Sequence, residues 1–156
     1  MTWVIGRIEF PPTKTLDAWM VLEVPFDGAH QPWTRHFVGF RREGCKGQVS
    51  SPVEVFDPIS RRAMTRSGQV YELGPLPGVN ADAFALWGNW KHRNGIAHER
   101  DVTTEVDELL AATHAHQTEL MLKDALARRG TTPRRIAGAP AADSDAPPPR
   151  EDVRRE

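Results

Sequence analysis

Apolar and polar residues alternate along the first half of the chain in a way that predicts extended structure. From Leu16 to Phe26 every even position is apolar, while Asp17 and Glu23 fall on the odd face beside Trp19 and Val21. A period of two predicts a half-buried strand. Trp3 to Phe10 is rich in β-branched and aromatic residues and stops at Pro11-Pro12, so it predicts a first strand. Asp27 to Pro32 has turn chemistry, and Trp33 to Arg42 resumes an extended pattern through Phe37, Val38 and Phe40, pairing with the strand before it. Val49 to Phe56 places Val49, Val53 and Val55 on one face and ends at Asp57-Pro58. Arg61 to Arg66 and Gln69 to Leu73 flank Ser67-Gly68, which predicts a hairpin with a two-residue loop and a positive φ at Gly68.

The second half changes period. Asp82 to Arg93 carries Phe84, Trp87 and Trp90 at intervals of three, which fits a short helix or a one-sided loop, weakened by Gly88 and Gly95. Thr103 or Thr104 can cap a long helix over about residues 103–129 that runs to Gly130, frayed or broken near Thr113 to Thr118. Residues 131–156 hold Pro, Ala, Asp and Arg, with Ile136 and Val153 as the sizeable aliphatics, and are expected to form a disordered tail. The expected fold is mainly β: a small SH3-like barrel or bent antiparallel sheet of five to six strands, one domain over residues 1–130, with a C-terminal helix and a tail.

A length of 156 residues suits that single domain. Cys45 is the one cysteine, so no internal disulfide framework is available, and the N-terminus lacks the pattern of a secretion signal; a reducing, cytoplasmic setting and no membrane partner are expected. Net charge is −1, which gives the whole chain no bias towards nucleic acid. The distribution is uneven. Thr34 to Arg66 holds Arg35, Arg41, Arg42, Lys46, Arg61, Arg62 and Arg66 against Glu43, Glu54 and Asp57, whereas Asp101 to Arg129 is acidic on balance.

Val49-Ser-Ser-Pro-Val-Glu-Val-Phe-Asp57, Thr65-Arg-Ser-Gly-Gln-Val-Tyr-Glu-Leu73 and Pro77-Gly78 together resemble segments of short uncharacterised bacterial proteins, some from plasmids, phages or integrated elements. That resemblance, over residues 49–78, implies a mobile-element context and a modulator or inhibitor of a host system. Arg93-Asn94-Gly95-Ile96-Ala97-His98 resembles the active-site motif of the HEPN ribonuclease families. It implies that His98 transfers a proton and Arg93 holds the scissile phosphate in a site built across a dimer. Those families are all-α bundles in which the motif opens a helix, and the same six residues also read as a basic surface loop.

Other chemistry finds little footing. His114 and His116, two apart on a helix, point to nearly opposite sides and cannot chelate one ion; no metal and no cofactor are expected. Trp19 lies on the polar-bearing face of its strand and is expected to pack under the C-terminal helix. Arg35, Arg41, Arg42, Arg61, Arg62 and Arg66, interleaved with Trp33 and Phe37, are the expected binding residues. The favoured reading is a non-enzymatic binding or regulatory protein that acts through protein contacts. A nucleic-acid-binding module on the basic strands and a ribonuclease using Arg93 and His98 are the alternatives, and nothing in the pattern sets the oligomeric state.

Cutting the chain after Gly130 is expected to leave the melting temperature nearly unchanged, since the removed residues hold so little to bury. A large drop in a thermal unfolding experiment would show instead that the tail docks on the domain.

Overall fold

The computed structural model describes residues 2–130, and the predicted tail lies outside them. The chain divides into two units, Met1–Gln117 and Thr118–Glu156. In the first, β1 (Val4–Ile5), β2 (Lys14–Val24), β3 (Thr34–Arg41), β4 (Lys46–Val49), β5 (Val53–Asp57), β6 (Arg62–Thr65) and β7 (Val70–Leu73) precede α1 (Ala81–Arg93) and β8 (Arg100–Asp101). The helix α2 (Thr103–Gly130) follows and continues unbroken through Thr113 to Thr118, where a break was expected.

The sheet is open and mixed, not a closed barrel or an all-antiparallel sheet. Its order is β1-β5-β6-β7-β2-β3-β4, with β8 added to β2. Two antiparallel meanders, β2-β3-β4 and β5-β6-β7, join by parallel pairing of β7 with β2, and β1 adds to β5 in parallel. The first strand is therefore much shorter than Trp3 to Phe10. The Val49 to Phe56 run is two strands, because the stretch through Ser50, Ser51 and Pro52 leaves one meander and enters the next. The β6-β7 hairpin forms as expected, with Gly68 at φ 84°, although its loop spans Arg66, Ser67 and Gly68: Gly68 N–H donates to Thr65 O and Thr65 N–H to Gln69 O.

β2 organises everything else. Its pairing with β3 steps from Asp17↔Phe40 to Met20↔Val38, so Ala18 and Trp19 together oppose Gly39. This is a β-bulge, with Ala18 held at φ 45°. A Cβ on Gly39 would lie 3.1 Å from Trp19 Cα, so the glycine makes room for the extra residue. The inserted residue reverses which face each later side chain takes. Leu16, Trp19 and Val21 thus share one core with Trp3, Phe37, Phe56, Tyr71 and, from α2, Val106 and Leu110. Met20, Leu22 and Val24 enter a second core against Ala83 and Trp87 of α1. Trp19 is wholly buried in the cluster that takes in α2, and its indole N–H donates to Gly74 O at 2.9 Å.

Asn80 caps α1 by accepting from Ala83 N–H, and the Phe84-Trp87-Trp90 spacing resolves unequally: Trp87 is buried while Phe84 is exposed. Thr103 does not cap α2 with its hydroxyl. That oxygen accepts from Val21 N–H, and Asp101 Oδ1 takes the Thr103 N–H.

His36 is fully buried in the second core beside Phe26, Trp87 and Trp90. Ser50 O lies 2.9 Å from Nδ1 and can only accept, so Nδ1 carries the proton and Thr34 Oγ1, 2.8 Å from Nε2, donates to it. Burial holds the imidazole neutral and pushes its pKa down to about 4. Because the unfolded ring binds a proton near its ordinary value, the stability from burying it neutral is complete above about pH 6.5 and is lost as pH falls towards 4. The loss is about 3 kcal/mol at the low end. The His36 ring is expected to keep its neutral Nδ1–H signature down to pH 5 in a nitrogen-detected NMR titration; a midpoint near 6.5 would contradict the assignment.

Candidate functional site

The six arginines singled out by the sequence do not make one surface. Arg35 pairs with Glu23 at 2.9 Å and stacks on Trp3. Arg42 grips Asp17 with two hydrogen bonds of 2.7 and 2.9 Å. Arg61, at φ 61°, donates to the carbonyls of Leu73 and Gly74. Arg62 reaches Phe10 O and lies 4.0 Å from Glu72, and Arg66 bridges Asp27 and Glu54. Trp33 is covered by the Arg100 guanidinium 4.2 Å from its ring, and Phe37 is wholly buried. These side chains hold strands and loops together, so reversing Arg61, Arg62 and Arg66 would break ties within the fold.

Arg41 is tied least. Like Arg61 it forms no ion pair with a described carboxylate; its Nη1 donates to Gln48 Oε1 at 3.3 Å, and its Nε, like that of Arg62, is buried without an acceptor. Lys46 sits directly opposite Arg41 in the β3-β4 ladder, and both side chains flank Gly44 of the connecting turn. Lys14, at the start of β2, completes the group: burial lowers its pKa, and the charges of Arg41 and Lys46 lower it further. None of the three forms an ion pair with a described residue. Lys46 belonged to the basic stretch visible in the sequence; Lys14 lay outside it.

The floor of the cluster is polar and fixed. Gln48 Nε2 donates to the Tyr71 hydroxyl at 3.1 Å, and Lys14 Nζ lies 5.5 Å from the Tyr71 ring. Burial raises the Tyr71 pKa, so the phenol keeps its proton as a donor. At the rim Glu43 accepts from Thr15 N–H at 2.8 Å, and that hydrogen bond holds its pKa low. The arrangement gathers three cations beside the buried Tyr71 phenol within one small area, and a group of cations without ion-pair partners is the chemistry of an anion receptor.

Neither other constellation gathers a reacting set. Arg93 is the last residue of α1 and His98 lies in the irregular stretch before β8, both exposed, so the motif closes a helix where the ribonuclease pattern opens one. A cleft lined in part by Ile5, Ile8, Ile59 and Arg62 has two carboxylates, Glu9 and Asp57. Burial works to raise the Asp57 pKa, but hydrogen bonds from Ile8 N–H, the Ser60 hydroxyl and N–H, and Ile59 N–H outweigh it and hold it low. Those bonds anchor the strand-to-loop turn. Among the described residues no group of three or more His, Cys, Asp or Glu is placed to hold a metal ion, and no helix is long and apolar enough to cross a membrane. The chain matches no protein-family model, no curated protein and no solved structure.

Like charges set directly across a ladder destabilise it. Replacing Lys46 with Glu is therefore expected to stabilise the free protein by roughly 0.2–1 kcal/mol in urea titration, with the gain shrinking in about 1 M salt. A loss of stability would mean that Lys46 has a structural partner.

Proposed function

We propose that this is a binding protein that acts by contact, with the Lys14, Arg41 and Lys46 cluster receiving an acidic segment of a partner protein. The single observation that carries the reading is the gathering of three cations that form no ion pair with a described residue, the nearby Glu43 carboxylate being engaged by Thr15 N–H, in a chain whose other arginines of the basic stretch are held by acids or carbonyls. Such a group destabilises the fold that carries it and gains an offsetting partner only on binding. A regulatory role in a mobile element is consistent with this reading and follows from the sequence resemblance alone.

The class of partner is argued from size and rim. Nucleic-acid binders neutralise many phosphates, on the order of 6–10 for a strongly salt-dependent complex, and present an extended basic track. Here the cations form one compact group, Glu43 stands at its edge, and Arg42 beside it is already neutralised by Asp17. A continuous polyanion meets repulsion at that edge, whereas one or two carboxylates of a peptide do not.

Titrating the labelled full chain with a short glutamate-rich peptide is expected to shift the signals of Lys14, Arg41, Gln48 and Tyr71. The triple variant Lys14→Gln, Arg41→Gln, Lys46→Gln is expected to weaken binding at least about tenfold. Tighter binding of random-sequence RNA or DNA of equal charge would favour the nucleic-acid reading, and silence of the cluster towards every anion would overturn the site.

A further inference from the structure

We infer that the partner's acidic segment carries an apolar side chain between its carboxylates, received by a groove beside the cation cluster. This rests on the reading of that cluster as a receptor for an acidic protein segment. The groove, of about 250 Å³, runs between β4 and α1 and is lined by Gly47, Gln48, Val49, Leu86, Trp90 and Arg93. It is smaller than the roughly 300–1,000 Å³ of a small-molecule pocket, and suits a single side chain.

Its walls are built on fixed elements. Leu86, Trp90 and Arg93 follow one another along α1 at intervals of four and three, so they share one face of the helix. Trp90 is held by stacking on Trp87 at 5.0 Å and by contact with Phe26 and His36, while Leu86 is 44 % exposed. On the other wall Val49 packs on the second core, and Gly47 brings β4 close against Ala83. An apolar side chain entering between Val49, Leu86 and Trp90 therefore finds a surface already in place, and binding orders little of the protein.

Continuity and charge say what occupies it. Gln48 belongs to both places: it lines the groove, accepts from Arg41 and donates to Tyr71. Groove and cluster are thus one surface. Lys46 lies two residues before Gln48, on the same face of β4. Arg93 stands at the far end, because α1 meets β4 at Ala83 and runs ten residues further, about 15 Å. Neither cation forms an ion pair with a described residue. Cations bracket an apolar centre, and the complement is a segment with acid at each end and an apolar residue between. Lys46 and Val49 are three strand residues apart, roughly 10 Å, so in an extended partner the first carboxylate precedes the apolar residue by about three positions. Asp82, one turn before Leu86, keeps that carboxylate on the sheet side of the groove.

Two peptides of equal charge test this on the full chain, one with a central glycine between glutamates and the other with a leucine in its place. The leucine peptide is expected to bind at least about tenfold more tightly and to shift the NMR signals of Val49, Leu86 and the Trp90 indole. Leu86→Gln and Arg93→Gln alter exposed side chains, so their melting temperatures should match the parent. Leu86→Gln should bring the leucine peptide down to the glycine peptide's affinity, and Arg93→Gln should weaken the leucine peptide by about two- to fivefold. Equal affinity of the two peptides, both lost in the Lys14→Gln, Arg41→Gln, Lys46→Gln variant, would overturn this inference and leave the receptor reading standing. A leucine advantage that survives Leu86→Gln would likewise remove the groove alone. Binding undiminished in the triple variant would overturn the receptor reading, and binding of neither peptide would overturn both.

Discussion

The bulge at Ala18 and Trp19 is the constraint on which the first unit depends. Without the inserted residue, Leu16 and Trp19 would point to opposite faces, and one of two large apolar side chains would be expelled from the core that Tyr71 and Phe56 build. With it, a single strand supplies two cores, one closed by α2 and one by α1. The same irregularity divides the far edge of β2. Its first residues pair with β7, and beyond the bulge Leu22 and Glu23 pair with β8, with Trp19 bridging to Pro77 between them. Both meanders and the entry to α2 are thus indexed to one local event.

Charge is arranged around the same strand. Glu23, on the odd face of β2, is buried and receives Arg35 at 2.9 Å and Arg100 at 2.8 Å. Each arginine stacks on a tryptophan, Arg35 on Trp3 and Arg100 on Trp33. A lone buried carboxylate would be strongly unfavourable, so the two guanidinium groups are what make its position tenable. They also explain two of the five tryptophans without invoking a ligand: the rings lie under cations that the fold already needs.

This is why local charge counting misread the basic stretch. The acids that neutralise Arg35, Arg42, Arg62 and Arg66 include Glu23, Asp17, Glu72 and Asp27, which lie outside or far along the chain from their partners. A window on the sequence sees the cations and misses the strands that return to meet them. Lys14 was invisible for the converse reason, since it joins Arg41 and Lys46 only through the β2-β3-β4 meander. Hairpins and helices were legible because neighbours in sequence make them: Gly68 announced its turn, and the Ala- and Leu-rich run announced α2. The bulge was not, because Leu16, Met20, Leu22 and Val24 obey a perfect alternation that conceals one residue out of step.

Closure was expected because an open sheet exposes unpaired backbone groups, and the protein meets that demand by other means. At one edge β1 is two residues long, and Arg7, Glu9 and Pro11-Pro12 follow it, so little straight backbone is available for a further strand. At the other edge β4 lies against α1 so closely that a Cβ on Gly47 would come within 2.6 Å of Ala83 N. The helix therefore crowds the approach to β4, and Asn80 fixes where its first turn begins. What is left open at that end of the sheet is the side-chain face bearing Arg41, Lys46 and Gln48. A partner that binds there engages fixed polar groups and not backbone, and this separates recognition from the edge pairing that leads to aggregation.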